Sequence, residues 1–273
     1  MSAFEAIVLG VVQGLTEFLP ISSTGHLRIV PAFVGWDDPG AAFTAVVQLG
    51  TTLAVLIYFR ADLWRIATAW LRSLREPQRR RADQDARLGW FIFFGTIPIG
   101  IFGLIFKDQI ESGARDLYLI GAALIVVGLV MGRAEAAGSK RRTIEQLDGT
   151  DAAAIGFAQA LALIPGVSRS GATISAGLFR GLRREDAARY SFLLSVPAIV
   201  LSGLFEFAGH AGDKQAASYG ALAVSTVFAF VVGYWSIAFL LRYLSTHTVR
   251  PFVIYRLALG TLVLALTASG AIH

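Results

Sequence analysis

The fold of this chain is constrained most by two related stretches, residues 10–26 and 156–173. Each runs from an apolar segment into a proline, then into a cluster of hydroxyl residues and glycine, and then becomes apolar again. An offset of 146 positions aligns them at identical residues: Ala6 with Ala152, Gly10 with Gly156, Gln13 with Gln159, Leu15 with Leu161, Ser22 with Ser168 and Gly25 with Gly171. The chain therefore contains an internal repeat.

Neither apolar segment is long enough to cross a bilayer as one helix, because spanning takes about 20 apolar residues and each segment is interrupted after roughly a dozen. Pro20 and Pro165 remove backbone donors, and Ser22 and Ser168 are good caps for a helix that restarts there. We expect two helix–loop–helix hairpins that enter the membrane and turn back. Irregular backbone at that depth is buried in protein or lines a wet cavity, so the two tips should meet in a polar chamber.

Composition favours a polytopic membrane protein over a soluble domain, since 55% of the residues are hydrophobic and 16% are charged. The net charge of +5 does not indicate a nucleic-acid partner, because the basic residues do not lie on a folded polar surface. The chain has no cysteine, which excludes disulfides, thiolate metal sites and cysteine nucleophiles. No cleavable signal peptide is expected, because the first residues lack a basic region.

The remaining apolar runs predict an all-α membrane protein in which two halves form one integrated domain. The first half, residues 1–137, holds a re-entrant hairpin at 2–34 and spans at about 41–59, 88–106 and 117–132. The second half, residues 138–273, holds a hairpin at 151–180 and spans at about 187–207, 219–241 and 252–268. An amphipathic segment around 63–74 is expected to lie along the membrane surface.

The distribution of basic residues predicts the orientation, because loops left in the cytoplasm are rich in lysine and arginine. Most of the 24 basic residues fall in four segments, at 60–87, 133–142, 180–189 and 242–256. Those segments are expected inside, and the opposite loops hold only Lys107, Arg115 and Lys214. Three spans separate the hairpins, so the first should enter from outside and the second from the cytoplasm. This is an inverted-topology repeat, an architecture that places its site near the midplane.

Gln13 and Glu17 are four residues apart and share one face of the entering helix. A carboxylate in a hydrophobic hairpin is costly unless it is paired or holds a cation. Magnesium or calcium prefers oxygen ligands of this kind, with phosphate oxygens and water completing the shell, so Glu17 and Gln13 are candidate metal ligands. The alternatives are that Glu17 only pairs internally, for instance with Arg169, and that Gln13 only makes helix–helix hydrogen bonds.

Residues 22–26 lie where the second helix of the first hairpin begins, a natural place for an anionic group. Ser22 is the expected N-cap, so Ser23 is the candidate nucleophile, with His26 as base, acid or phosphate donor. A histidine in such a place can also be purely structural. Ser22, Thr24 and Gly25 are the expected substrate-binding residues of this copy.

Arg169 takes the place of Ser23 in the second copy, within an apolar environment where an unpaired guanidinium is expensive. A bidentate clamp on phosphate would explain it, and a salt bridge to Glu17 is the alternative. Further donors to the substrate are expected from its neighbours Ser168, Ser170, Gly171 and Thr173, although each hydroxyl could equally cap the helix. Together the two hairpins suit a diphosphate better than a neutral substrate.

At these residues the sequence resembles the membrane-integral undecaprenyl-diphosphate phosphatase family of bacteria, known for bacitracin resistance. The resemblance rests on residues 13–26 and 165–173 and extends through 47–51 and 192–197. The family's motif of glutamate or glutamine followed by a second glutamate falls on Gln13 and Glu17. Its serine, threonine and histidine positions fall on Ser22, Ser23, Thr24 and His26, and its arginine falls on Arg169.

The resemblance implies removal of one phosphate from undecaprenyl diphosphate at the outer, periplasmic face of the bacterial inner membrane, with a divalent cation. This reaction recycles the lipid carrier for peptidoglycan synthesis. We expect Glu17 and Gln13 to hold the cation, Arg169 to bind diphosphate, Ser23 to attack the terminal phosphorus and His26 to transfer protons. Attack by water is the alternative, and a transporter or lipid flippase is the competing class, because inverted repeats with broken helices are typical of secondary transporters. The oligomeric state is left open, with a homodimer as one option.

Overall fold

The structure is a computed structural model that describes residues 1–106, 109, 115–210 and 218–272, with side chains except at 41, 81 and 202–210. These residues form helices and connecting turns and contain no β-strand. The expected loop residues Lys107 and Lys214 lie outside the described residues. The all-helical fold class predicted from the sequence is therefore confirmed for the described part of the chain.

The helices follow one another in a simple order. In the first half they are α1 (Ala3–Phe18), α2 (Ser23–Val34), α3 (Gly40–Tyr58), α4 (Arg60–Arg75), the single-turn α5 (Arg79–Ala82), α6 (Gln84–Ile105) and α7 (Leu117–Ala137). In the second half they are α8 (Gly149–Ala160), α9 (Arg169–Phe179), α10 (Arg184–His210), α11 (Tyr219–Leu244) and α12 (Arg250–Ala268). Short 3-10 turns precede and follow α8, at Ile144–Gln146 and Leu161–Leu163.

Four of the described helices are long and apolar enough to cross a membrane, namely α6, α7, α11 and α12. They coincide with four of the six predicted spans, and they make the chain a multi-pass membrane protein. α3 qualifies only together with α4, from which it is bent by 74°. The bend agrees with the prediction that the amphipathic segment 63–74, which lies in α4, runs in a different direction from the span at α3. The expected span at 187–207 falls within α10, whose side chains from 202 onward are not described, so it stays a prediction.

Both predicted breaks are present, and each ends in the same unusual backbone conformation. α1 ends at Phe18 and α2 begins at Ser23, while the 3-10 turn after α8 leads to α9, which begins at Arg169. The residue before each new helix has a left-handed backbone, with φ 79° at Ser22 and 71° at Ser168. Such angles are uncommon outside glycine and persist where the surroundings impose them.

The two broken helix pairs are held by close packing on helices of the opposite half. α1 packs on α11, where a Cβ built on Gly10 would overlap the carbonyl oxygen of Ser225. α8 packs on α6, where a Cβ built on Gly156 would lie 2.6 Å from the carbonyl oxygen of Gly95. Only glycine allows backbones to approach this closely, as small residues do in membrane helix interfaces.

Ion pairs fasten the helix ends away from the breaks. Asp151 at the start of α8 is fully buried and pairs with Arg142 and Arg180. Glu135 at the end of α7 pairs with Arg184. These arginines belong to the segments expected in the cytoplasm. Besides favouring that orientation, their side chains form ion pairs that stabilise the fold.

One basic residue departs from the sequence interpretation. Arg256, which was counted with the cytoplasmic segment 242–256, is 0% exposed within α12. Counting charges near a helix start does not distinguish a side chain that faces water from one that faces the protein interior.

Candidate active site

The two breaks meet through an ion pair between one side chain of each copy. Arg169 Nη2 donates to Glu17 Oε1 over 2.6 Å. Arg169 Nη1 also donates to the carbonyl oxygen of Ser195 over 3.4 Å. The side chains are 14% and 7% exposed, so each charge is largely removed from water and depends on the other. The salt bridge that the sequence left as an alternative is thus formed in this structure.

The second oxygen of Glu17 receives two further donors. Ser23 Oγ donates to Glu17 Oε2 over 2.6 Å, and Gln13 Nε2 donates to the same oxygen over 3.1 Å. Gln13 Nε2 also lies 3.5 Å from Thr51 Oγ1 on α3. A carboxylate that accepts the hydrogen bond of a serine hydroxyl can also accept its proton. Glu17 therefore lies within proton-transfer distance of the Ser23 hydroxyl.

The hydrogen-bond partners of His26 determine its tautomer. Nδ1 lies 2.7 Å from the carbonyl oxygen of Ser22, which can only accept, so Nδ1 carries the hydrogen. Nε2 lies 2.7 Å from the hydroxyl of Tyr255 and, in the neutral ring, accepts from it. The two rings lie nearly parallel, at 10°. Neither described contact of the His26 ring is to Ser23, which differs from the expected pairing of His26 with that serine.

A serine caps the helix that follows each break. Ser22 Oγ accepts from the backbone N–H of Gly25 over 3.3 Å, and Ser168 Oγ accepts from that of Gly171 over 3.1 Å. The expected cap role of Ser22 is confirmed. The hydroxyls of Thr24 and Ser170 lie 3.3 Å and 3.2 Å from these caps, respectively. Two helix starts with their positive ends at the breaks favour bound anions there.

The other hydroxyls of the second copy connect the breaks to the fold. Ser170 Oγ donates to the carbonyl oxygen of Leu19 over 3.1 Å, which ties α9 to the end of α1. Thr173 is 0% exposed, and its hydroxyl contacts the Arg169 carbonyl oxygen at 2.7 Å and Ser191 Oγ at 2.6 Å. Thr173 was expected to bind substrate, but here it joins α9 to α10.

Two neighbouring residues of α12 reach this region and were missed from the sequence. Tyr255 contacts His26, and Arg256 donates to the carbonyl oxygens of Pro20 and of Gly166 and Val167 in the two breaks. The available signal was the position of an arginine inside the predicted span 252–268, where an ionisable residue marks a site by default.

The donor set for a divalent cation is sparse. The described residues contain no group of three histidine, cysteine or acidic side chains that could hold a metal. Among the described residues of the two breaks, Glu17 supplies the one carboxylate, and its oxygens accept from Arg169, Ser23 and Gln13. Divalent cations take six or more oxygen ligands, so most of the shell of a cation here would come from phosphate and water.

A charged cavity elsewhere does not belong to this cluster. It has a volume of about 290 Å³ and lies between α4, α6, the 3-10 turn at Ile144–Gln146 and α10. Its lining includes Asp62, Asp85 and Arg189 and none of the residues predicted for the site. Arg189 pairs with Asp62 over 2.6 Å. Charged side chains that line the cavity are therefore paired with each other within the protein.

Sequence comparison identifies the family of a chain with these two breaks. Residues 6–262 match the family described as bacitracin resistance protein BacA. The chain belongs to this family. The matched region of this BacA-family protein includes both breaks and α12 up to Leu262, so it contains every residue of the cluster around Glu17. The resemblance stated from the motifs is confirmed.

Relatives that carry the name undecaprenyl-diphosphatase match along nearly their whole length. The protein from Mycolicibacterium smegmatis is 55% identical over 275 residues, which cover 100% of this chain and 99% of the relative. That from Nocardioides sp. is 54% identical over 268 residues, covering 98% and 97%. That from Thermobifida fusca is 53% identical over 272 residues, covering 100% and 92%.

Proposed function

We propose that this BacA-family protein hydrolyses undecaprenyl diphosphate to undecaprenyl phosphate and inorganic phosphate, which recycles the lipid carrier for peptidoglycan synthesis and supports bacitracin resistance. The names of relatives above 50% identity support the reaction. The observation that carries it in the structure is the contact of Arg169 and Ser23 with one carboxylate, Glu17, between two helix starts. This cluster combines an anion clamp, a nucleophile and a base.

The ion pair of the substrate-free site gives way when diphosphate binds. A guanidinium matches phosphate oxygens bidentately, so Arg169 exchanges part of its contact with Glu17 for the diphosphate. The backbone N–H groups at the starts of α2 and α9 add partial positive charge. Glu17, no longer held by the guanidinium, is then free to accept the hydroxyl proton of Ser23.

Phosphoryl transfer then proceeds in two steps. Ser23 Oγ forms a bond to the terminal phosphorus, Glu17 takes the hydroxyl proton, and the bond to the bridging oxygen breaks so that undecaprenyl phosphate leaves. Glu17 gives this proton up to the departing phosphate. Water next attacks the phosphoserine and gives a proton to Glu17, the bond from Ser23 Oγ to phosphorus breaks, and Glu17 returns the proton to Oγ as inorganic phosphate leaves. In the alternative, Glu17 activates water directly and Ser23 only binds phosphate.

His26 is assigned a supporting role in this scheme. Its Nε2 faces the Tyr255 hydroxyl, so a proton can pass between the imidazole and the phenol without contact to Ser23. In this position His26 Nδ1 donates a hydrogen bond to the carbonyl oxygen of Ser22 and so orients that residue. The imidazole also transfers protons to and from the leaving phosphate.

We further propose a divalent cation, magnesium or calcium, that binds together with the diphosphate. The Glu17 carboxylate and the Gln13 amide oxygen would be its protein ligands, and its charge would neutralise phosphate oxygens. Arg169 competes with any cation for Glu17 in the substrate-free protein, so cation binding should depend on substrate.

The membrane arrangement proposed is an inverted-topology repeat of two halves, 1–137 and 138–273, with re-entrant hairpins and a chamber that opens to the periplasmic side of the inner membrane. The reciprocal packing supports it, because the broken pair of each half lies on a helix of the other, at Gly10 and at Gly156. A homodimer is compatible with this arrangement and is tested by the mass of the detergent-purified protein.

Phosphate release from a polyprenyl diphosphate by the detergent-purified full chain tests the proposed function. We expect inorganic phosphate to appear at enzymatic rates, and a chelator of divalent cations to suppress it. A transporter or flippase that uses the same chamber would release none. Phosphate release that is unchanged by chelator would contradict the proposed cation but would still support the proposed phosphatase activity.

A further inference from the structure

Arg256 has the largest fully buried side chain of the described residues. Its guanidinium donates to five backbone carbonyl oxygens at 2.9 to 3.2 Å, those of Pro20, Ala123, Leu124, Gly166 and Val167. Within the described part of the chain no carboxylate pairs with it. A buried guanidinium without a counter-ion is expensive in a membrane protein, so packing alone explains it poorly.

Two of the five carbonyl partners of Arg256 occupy equivalent positions in the two copies of the repeat. Arg256 Nη1 contacts Pro20 O at 3.2 Å and Nη2 contacts Gly166 O at 2.9 Å. The offset of 146 positions that aligns the two copies places Pro20 on Gly166. One side chain therefore binds the same position of both breaks, two residues before each serine cap.

These contacts fix the backbone just where each inward-facing helix begins. The caps Ser22 and Ser168 follow the bound carbonyls and have left-handed φ angles of 79° and 71°. Such conformations persist only when the surrounding structure imposes them, and the guanidinium supplies a rigid fork that does so on both sides. Arg256 thereby contacts both helix starts and contributes to their relative placement, together with the Arg169–Glu17 pair and the hydrogen bond from Ser170 to Leu19.

Arg256 also makes the net charge around the two breaks more positive. Glu17 and Arg169 form an ion pair, so their charges neutralise each other. Arg256 adds a positive charge behind the two breaks for which the described residues provide no carboxylate. An uncompensated positive charge in a low-dielectric region favours an anion at the adjacent helix starts.

We propose that Arg256 is a positioning residue for the diphosphate: by joining Pro20 to Gly166 and Val167 it holds the starts of α2 and α9 in the arrangement that binds one phosphate-bearing headgroup. This inference rests on the proposed function. The competing explanation is that Arg256 only stabilises the packing of α12 on α7, through the carbonyls of Ala123 and Leu124.

The two explanations differ in what the folded protein can do. A packing role lowers thermal stability and the yield of folded protein but leaves the kinetic constants of the folded fraction unchanged. A positioning role changes the affinity for phosphate and the turnover even in protein that is fully folded. The inhibition constant of inorganic phosphate reports the first of these changes directly.

Arg256→Lys and Arg256→Gln, each in the full chain, test the proposal. Lysine keeps the charge but offers three donors from a flexible stem, so it cannot serve five carbonyls. We expect kcat/KM for the polyprenyl diphosphate to fall about 10²-fold in Arg256→Lys, the loss typical of a small misplacement of binding groups. The phosphate inhibition constant should rise about tenfold, and Arg256→Gln should lose more on both counts.

Arg184→Lys is the matched control, because Arg184 pairs with Glu135 on α7 and none of its described contacts is with either break. We expect it to lower the thermal unfolding temperature while kcat, KM and the phosphate inhibition constant of the folded protein stay within about twofold of wild type, as for substitutions distant from the site.

Three outcomes would overturn the proposal. Both Arg256 variants could fold with kinetic and inhibition constants within twofold of wild type. Their losses could follow only the amount of folded protein, as in Arg184→Lys. Both could fail to fold while Arg184→Lys folds, which would assign Arg256 to stability alone. A wild-type protein that releases no phosphate would overturn the proposed function and this inference together, whereas active wild type with unaltered variants would overturn the inference only.

Discussion

The hydroxyl of Ser23 donates a hydrogen bond to Glu17 Oε2 over 2.6 Å, so the carboxylate and the candidate nucleophile are in direct contact. The same carboxylate is held by Arg169 from the other copy of the repeat. One acidic side chain thus joins the candidate nucleophile of one broken helix pair to the proposed phosphate clamp of the other. The predictions below follow from that arrangement and from the packing that maintains it.

Ser23→Ala should lower the rate of phosphate release by about 10³-fold or more, because it removes the atom that forms the covalent bond. Rapid quenching of wild-type enzyme with a substrate labelled at the terminal phosphate should trap label on Ser23, and none on the alanine variant. Ser22→Ala is the neighbouring comparison: it removes a helix cap and should chiefly lower stability, by about 1 kcal/mol. A Ser23→Ala enzyme with near wild-type turnover would instead support direct attack by water.

Tyr255→Phe should lower kcat about tenfold with little change in KM, because it removes the hydrogen bond to His26 Nε2 while the ring that lies parallel to the imidazole remains. Steady-state kinetics on a polyprenyl diphosphate measure both constants. Tyr219→Phe is the control, since Tyr219 begins α11 and is 86% exposed. Equal kinetics for the two variants would show that the hydroxyl of Tyr255 has no part in turnover.

Gly10→Ala and Gly156→Ala should each destabilise the protein by about 1–3 kcal/mol, because the added methyl group meets backbone atoms of α11 or α6. Thermal unfolding in detergent, followed by tryptophan fluorescence, measures the effect. Gly149→Ala, at the start of α8, is the control because a Cβ there meets no atom within 4 Å. Unchanged stability in both packed variants would contradict the close helix contacts.

Much of the framework could be predicted from the sequence. The breaks at Pro20 and Pro165 disrupt apolar segments that are otherwise helical, and Ser22 and Ser168 are the caps that such restarts favour, so local chemistry alone located them. The four apolar helices α6, α7, α11 and α12 were found for the same reason, since hydropathy depends on neighbouring residues only. The proximity of Glu17 and Arg169 followed from the cost of isolated charges in a membrane.

The partners of individual side chains could not be predicted in the same way. The sequence places His26 three residues after Ser23, yet the structure directs its ring to Tyr255, which is 229 positions distant. Arg256 lies near a helix start rich in basic residues, where nothing local distinguishes an inward from an outward side chain. Thr173 follows Arg169 on the same helix, and nothing local predicts that its hydroxyl contacts Ser191 of α10. Each of these depends on contacts between distant segments.

A double-mutant cycle on Glu17 and Arg169 tests the central claim most directly, namely that the two breaks form one site. Phosphate release is measured for Glu17→Gln, for Arg169→Gln and for the double variant. We expect each single substitution to lower the rate of phosphate release by about 10²–10⁴-fold. The double variant should release phosphate almost as fast as the less active single variant, because the effects of residues that act as a unit are strongly non-additive. Losses that multiply, or a wild-type level of release in either single variant, would contradict the account.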